Sequence, residues 1–348
     1  MKRLIIGVGS ALLVAIIVLV IYYNVSIGAV SKDETKIDFV IDEGTSVLKV
    51  VSMLDHKGLI KSKTMTKVYI KLNSINKIKA GVYEFDKTMG VKDIFNILEK
   101  GNNINPDSIT VVIPEGKYLE QVADIFAAQT VNPKEKLLDV WASEEFVQTV
   151  IDKYDFVTDE VLNKDIRYPL EGYFFPASYE FINKEVTPED IAYKLLDEME
   201  KRLNKYKDLI DNSEFSVHEI LTFASIIQYE AILEEDAYLI SGVFHNRLEI
   251  GMKLESCATL DYALNTHKLI YTFDDMAVKS PYNTYYVDAL PVGPGNMPGE
   301  ISIKAVLMPK DNDYLFFLAN VYDPNDKRTY YAKDYEGHKE NIKEHLKK

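Results

Sequence analysis

Residues Ser216 to Leu233 form the stretch in which residue types and spacing together define a chemistry. Ser216 is a candidate N-cap and Glu219, three residues on, completes a capping box, so a helix is predicted over Ser216–Leu233. Val217, Ile220, Leu221, Ala224, Gln228 and Ala231 follow one helical stripe, and Phe223, Ile226, Ile227, Glu230 and Leu233 follow the neighbouring one. Glu230 is therefore the only carboxylate on an otherwise apolar surface, one and two turns beyond bulky hydrophobes. Desolvation disfavours the charged form of a carboxyl, so this setting raises its pKa, as a general acid requires. The same spacing also fits a structural carboxylate at a helix end, facing water beside Glu234, Glu235 and Asp236. Helical geometry alone leaves both readings open.

A second segment, Pro169-Leu170-Glu171-Gly172-Tyr173-Phe174-Phe175-Pro176, is aromatic and held by two prolines, unsuited to a long helix. Its rings fit the floor of a sugar groove, because the C–H face of a pyranose packs on them, or equally a plain core. Other chemistries lack their residues. The six histidines never form H-x-x-x-H or H-E-x-x-H, although His218-Glu219 starts like one, so no metal site is predicted. The single cysteine, Cys257, excludes an intramolecular disulfide and a cysteine-built zinc or iron–sulfur site, and has no context marking it as a nucleophile. No G-x-S-x-G occurs, and Gly7-Val8-Gly9-Ser10 lies inside an apolar run, so it is no phosphate loop. No cofactor is predicted. An extracytoplasmic protease would need a nucleophile–base pair that the sequence does not offer.

The elements that must position Glu230 belong to a chain of 348 residues, long enough for two or three domains. A hydrophobic share of 47% with 27% charged residues is ordinary globular composition. The 54 acidic against 40 basic residues give a net charge of −14, which argues against nucleic acid as a partner. At the amino terminus Met1-Lys2-Arg3 precedes Leu4 to Tyr23, an uncharged run with the ~20 residues that a ~30 Å bilayer core requires. Ser10 is the only polar residue well inside it, and Tyr22 and Tyr23 sit where an aromatic belt would. A cleaved signal peptide would have a shorter apolar region of ~7 to 15 residues, and Ser26-Ile27-Gly28 is a weak cleavage site. The positive-inside rule then sets residues 1–3 as a cytoplasmic end, 4–23 as a transmembrane helix and 24–36 as a linker. The expected location is the cell membrane (plasma or inner), single-pass, with the catalytic part extracytoplasmic.

Beyond the linker, Lys36 to Ile41 alternates like a half-buried strand before the turn-forming Asp42-Glu43-Gly44. Val47, Val50, Val51 and Leu54 recur at helical spacing and Gly58 stops that helix; a second runs from about Lys63 to Leu72. Gly81 to Phe85 reads as a strand and Val91 to Leu98 as a helix. This β-α-α-β order over 37–103 predicts a small LysM-like glycan-binding module. Its opening, Val40 to Gly44 with Val47, Val50 and Leu54, is echoed by Val112 to Gly116 with Leu119, Val122 and Phe126. Residues 104–348 follow as a mixed α+β catalytic domain, so the fold class is α+β. Within it Pro133 to Lys164 is hydrophilic and helical, and Thr187 and Pro188 open a helix reaching about Asp211 whose mixed charge reads as a solvated face.

Several motifs together resemble one family. Ala224-Ser225-Ile226-Ile227-Gln228-Tyr229-Glu230, then Val243-Phe244-His245-Asn246-Arg247-Leu248 and Gly251-Met252-Lys253-Leu254, are similar to the A-S-I-(I/V)-E-K-E, V-F-x-N-R-L and G-M-x-L of endolytic murein transglycosylases (the MltG or YceG-like family). Ser280-Pro281-Tyr282-Asn283-Thr284-Tyr285 looks like the family's S-P-Y-N-T-Y, and Pro114-Glu115-Gly116 and Leu170 to Pro176 also fit. The chain departs from the pattern at Gln228, where the family has glutamate. Glu255-Ser256-Cys257-Ala258-Thr259 stands for Q-(S/T)-D-P-T, and Ala289-Leu290-Pro291-Val292-Gly293-Pro294 for G-L-P-P-G-P.

The resemblance implies cleavage of the β-1,4 bond between N-acetylmuramic acid and N-acetylglucosamine in peptidoglycan, with Glu230 as the catalytic acid and base and 1,6-anhydromuramyl ends as products. It implies Ser225, Gln228, Asn246, Arg247, Thr259, Tyr282, Asn283, Thr284, Tyr285, Glu171 and Phe175 as candidate substrate-binding residues, and membrane-bound peptidoglycan synthases as partners. The rival expectation is a membrane-tethered peptidoglycan-binding scaffold of impaired activity, which Gln228 and Cys257 favour and Glu230 opposes.

Overall fold

The computed structural model describes residues 2–101, 105–266, 268, 270–319 and 328–346, with side chains from residue 13 onward. Asn103, the expected end of the first module, and the side chains of Lys2 and Arg3 lie outside the described residues. The chain divides into two compact units, residues 1–111 with 178–186, and residues 112–177 with 187–348.

In the first unit, α1 (Lys2–Ile27) is a 26-residue helix whose side chains from Leu13 to Ile21 are exposed and mostly bulky and apolar. With the first dozen side chains outside the description, none of the described helices is long and apolar enough to cross a membrane. β1 (Ile37–Ile41), α2 (Val47–His56), α3 (Lys63–Leu72) and β2 (Gly81–Phe85) follow in the order read from the sequence. The two strands pair antiparallel with Phe39 opposite Tyr83. Ser46 and Ser62 cap their helices by accepting from the N–H of Lys49 and Met65. Phe39, Val50, Leu54, Tyr83 and Phe85 share one core with Ile94 and Phe95 of α4 (Val91–Lys100). β3 (Ile109–Val112) pairs with the distant β4 (Ser178–Phe181), where Thr110 Oγ1 donates to Glu180 at 2.9 Å.

The second unit opens with α5 (Leu119–Gln129), α6 (Lys134–Ala142) and α7 (Glu144–Lys153) around the fully buried Trp141. Its indole N–H donates to Pro188 O at 2.8 Å, and Phe174 packs edge-on at 5.1 Å. α8 (Pro188–Leu203) begins at the predicted cap, Thr187, but ends eight residues before Asp211. A 3₁₀ turn over Asn204–Tyr206 intervenes before α9 (Lys207–Asp211). That turn brings Lys205 (2.8 Å) and the Tyr206 hydroxyl (3.0 Å) onto Glu300, which Arg202 also reaches. The mixed charge of this helix end is thus a network rather than a plain solvated face. Burial raises the Glu300 carboxyl, but these three donors outweigh it and hold the pKa at about 2.

α10 (Val217–Glu230) packs against α11 (Glu234–Glu249), α12 (Cys257–Leu264) and α14 (Glu300–Leu307), and α13 (Phe273–Met276) packs on α12. β5 (Phe316–Ala319) and β6 (Thr329–Ala332) form an antiparallel pair on which α15 (Tyr335–His345) lies.

Candidate active site

Ser216 caps α10 with the capping box read from the sequence, and His218 and Ile220 to Ile227 are all buried. The helix stops three residues short of Leu233. Ala231 turns extended (φ −89°, ψ 125°), and Leu233 becomes the cap of α11. Glu230 is therefore the last helical residue, half-buried, at the negative end of a helix dipole.

The amino end of α12 faces it. Ser256 Oγ donates to Glu230 Oε1 at 2.5 Å, and the Ala258 N–H donates to the same carboxyl. Burial pushes the Glu230 carboxyl above its ordinary range, against the pull of those two donors; Asp261 adds to the rise and Arg247 opposes it. A half-exposed carboxyl that holds its proton above the usual range can give it to a bound oxygen and take another back.

Ser256 is fixed from every side. Its N–H donates to Thr284 Oγ1 at 2.9 Å, its carbonyl accepts from Thr259 Oγ1 at 2.7 Å, and the two threonine hydroxyls meet at 2.9 Å. Ser256 occupies the N-cap position of α12 without capping it, because its hydroxyl is turned to Glu230 instead. Glu255, just before it, has φ 48°, a left-handed conformation that costs a non-glycine residue on the order of 1 kcal/mol or more and is held here by the surrounding bonds. Ser256→Ala removes a donor that favours the ionised form, so the Glu230 pKa rises further in that variant. Carbon-13 NMR titration of the Glu230 carboxyl checks this, and an unmoved titration would remove Ser256 from the role.

The structure brings Glu230, Thr259, Thr284 and Tyr285 into one neighbourhood, and gives the other predicted binding residues specific contacts of their own. Asn283 is wholly buried and donates to the carbonyls of Met276 (2.9 Å) and Val278 (2.7 Å). Tyr282 accepts from the Arg167 N–H at 3.0 Å, and the Tyr285 hydroxyl lies 3.3 Å from Cys257 Sγ. Arg247 donates to the carbonyls of Leu315 and Leu254, each at 2.7 Å, and Asn246 to those of Asn312 and Tyr314. Ser225 Oγ donates to Thr222 O and accepts from the Gly295 N–H. Phe175 is buried beneath the Arg202 guanidinium, 4.7 Å from its ring centre.

Gln228 accepts from the Gly299 N–H (2.8 Å) and Ser302 Oγ (2.9 Å) while its amide donates to Glu115. A carboxylate at 228 would face Glu115 charge to charge, so the amide suits this chain. The departure at Val292 leaves a backbone bond intact: its carbonyl accepts from His218 Nε2 at 2.9 Å.

Two further residues at the site are Tyr118 and Tyr229, which sequence patterns did not single out. Their rings meet edge to face at 6.1 Å, and the Tyr229 hydroxyl donates to Gly116 O at 2.5 Å. Gly116 (φ 74°) has the Tyr229 ring 3.4 Å from where a Cβ would lie, which gives the glycine of Pro114-Glu115-Gly116 a physical reason. Tyr118 continues edge-on to Tyr262 (5.5 Å) and Tyr262 to Tyr282 (4.7 Å). The only sequence signal for Tyr229 is its place beside Glu230. Among the described residues no group of three or more histidine, cysteine or acidic side chains is placed to hold a metal.

Comparison with known proteins agrees over nearly the whole chain. The YceG-like family matches residues 39–344. An endolytic murein transglycosylase of Bacillus subtilis is 35% identical over 292 residues, 83% of this chain and 81% of the relative. An endolytic murein transglycosylase of Streptococcus pneumoniae is 33% identical over 321 residues, 88% of this chain but only 58% of that longer relative. The crystal structure of a yceG-like protein from Listeria monocytogenes is 37% identical, with a TM-score of 0.63 over 88% of this chain and 99% of that one.

Proposed function

This chain belongs to the YceG-like family, and on that premise we propose that it is an endolytic murein transglycosylase. The observation that carries the reading is Glu230: half-buried, raised by burial, and aimed by Ser256. Glu230 gives its proton to the glycosidic oxygen as the bond from muramyl C1 breaks. The 6-hydroxyl of the same muramyl residue then closes on C1 and returns its proton to the Glu230 carboxylate. The product is a 1,6-anhydro ring, and the enzyme ends in its starting protonation state. No water enters, so the second carboxylate that glycosidases use for a water or a covalent intermediate is not needed. Tyr229, 41% exposed, held by its bond to Gly116 O and packed on Tyr118, offers a ring on which a pyranose face can stack beside the acid. Thr259, Thr284 and Tyr285 frame the same place, and Asn246, Arg247 and Asn283 hold the segments that present it.

The uncharged run 4–23 within α1 supports a membrane anchor, which sets the catalytic unit outside the cytoplasm beside nascent glycan strands. Trimming or terminating those strands, next to membrane-bound synthases, is the role this placement fits. The β-α-α-β segment after the linker is proposed as a LysM-like glycan-binding module.

Mass spectrometry of fragments released from uncrosslinked peptidoglycan by the full-length chain in detergent tests the reading. Internal cuts ending in 1,6-anhydromuramyl residues are expected. Reducing ends would mean a hydrolase, and binding without release would mean a tethered scaffold.

A further inference from the structure

Three residues beyond Glu230 the chain enters a groove that the chemistry above does not use. Leu233, Tyr238 of α11 and Met308 beyond α14 give it an apolar lining. Glu234 and Glu235 stand in the first turn of α11, while Lys304 of α14 and Lys310 supply the opposite charge. None of these four charged side chains has an ion-pair partner among the described residues; Lys304 lies over the Tyr238 ring at 5.6 Å. The groove is shallow and open to solvent along its length, with a volume of about 750 Å³.

With peptidoglycan as substrate, as proposed above, we infer that this groove takes the stem peptide carried by the muramyl lactyl ether at the cleaved bond. The peptide has the matching chemistry: carboxylates for Lys304 and Lys310, an amine on its third residue for Glu234 and Glu235, and alanine methyls for the apolar lining. A polyanion would meet the two glutamates. A purely apolar partner would bury four unpaired charges. The glycan itself is largely uncharged and has Tyr118 and Tyr229 beside the acid. The distances also match, since three residues of chain separate Leu233 from Glu230 by at most ~11 Å and four extended stem residues reach ~13 Å.

The test compares uncrosslinked strands that bear stem peptides with the same strands stripped of them by an amidase, using full-length wild type and the double variant Lys304→Glu, Lys310→Glu. Wild type is expected to prefer peptide-bearing strands by about tenfold in kcat/KM, the scale of two exposed charge contacts. The double variant is expected to lose that preference through KM while cutting stripped strands at an unchanged rate. Equal rates of wild type on both substrates, or a preference that survives in the variant, would overturn the assignment. So would an equal loss on stripped strands, which would give the groove to the glycan. If neither protein cuts either strand, the transglycosylase reading fails by itself, and calorimetry with free L-Ala-γ-D-Glu-L-Lys-D-Ala decides the groove. Binding by wild type that the double variant abolishes supports it; no binding, or binding unchanged in the variant, overturns it.

Discussion

Glu230→Gln is expected to lower cleavage of glycan strands by at least about 10³-fold while leaving the fold intact. In the proposed mechanism both proton transfers run through this one carboxyl, so no second group takes over when it cannot ionise. The amide is nearly isosteric, and its oxygen still accepts from Ser256, whose hydroxyl stands 2.5 Å from Glu230 Oε1. Stability should move the other way. The folded-state pKa of Glu230 lies above its ordinary value, so the ionised form carries a desolvation cost that grows as pH rises through that pKa. The variant lacks this cost and should melt at or above the wild-type temperature at pH 8. Rates from labelled strands and melting curves at two pH values check both parts; retained activity would remove Glu230 from the mechanism.

The second large effect concerns Glu171, a carboxyl only 1% exposed that accepts from the Leu119 N–H at 2.9 Å and the Tyr262 hydroxyl at 3.1 Å. Burial lifts its pKa to about 8, against those two hydrogen bonds, so the folded protein holds a neutral acid at pH 7. Since the folded value exceeds the unfolded one of about 4.5, the stabilisation is complete below about pH 4.5 and is lost as pH rises through about 8. A shift of that size is on the order of 4 kcal/mol between pH 5 and pH 9, or a fall of about 10 °C in Tm for a unit this large. Glu171→Gln should flatten the pH profile. One carboxyl oxygen becomes an NH₂ that cannot accept, where Leu119 and Tyr262 both donate, so the variant starts lower at pH 5, by about 1–3 kcal/mol, and because wild type falls by more than that the two curves cross before pH 9. Parallel curves would show that another group sets the slope. Gly172, next in the chain at φ 81°, lets this loop approach closely: a Cβ there would fall 2.3 Å from Pro294.

Much of this protein was legible in the residue order because local rules govern it. Period-two alternation gave β1, helical spacing from Val47 gave α2, and the Thr187-Pro188 and Ser216 capping-box signals placed the starts of α8 and α10 where they begin. The stripe pattern of α10 isolated Glu230 as a carboxyl among hydrophobes, and burial does raise it. The resemblance at Ala224 to Glu230 and the motifs after it named the family that comparison then showed.

Contacts between distant segments could not be read this way, because no local periodicity encodes a partner. The hydroxyl that aims Glu230 comes from Ser256, 26 residues on, and the network that aims Ser256 comes from Thr284, 28 residues further. The end of α10 at Glu230 rather than Leu233 follows from the turn into α11, and the break after Leu203 follows from the three donors gathered on Glu300. Residues 178–186 join the first unit because β4 pairs with β3 across 70 residues of chain and packs against β1 and β2. Sequence determined which carboxyl is chemically distinctive, through burial patterns that repeat along one helix. Tertiary structure decided what holds that carboxyl's proton and which way it points, because those depend on groups that meet only when the chain closes on itself.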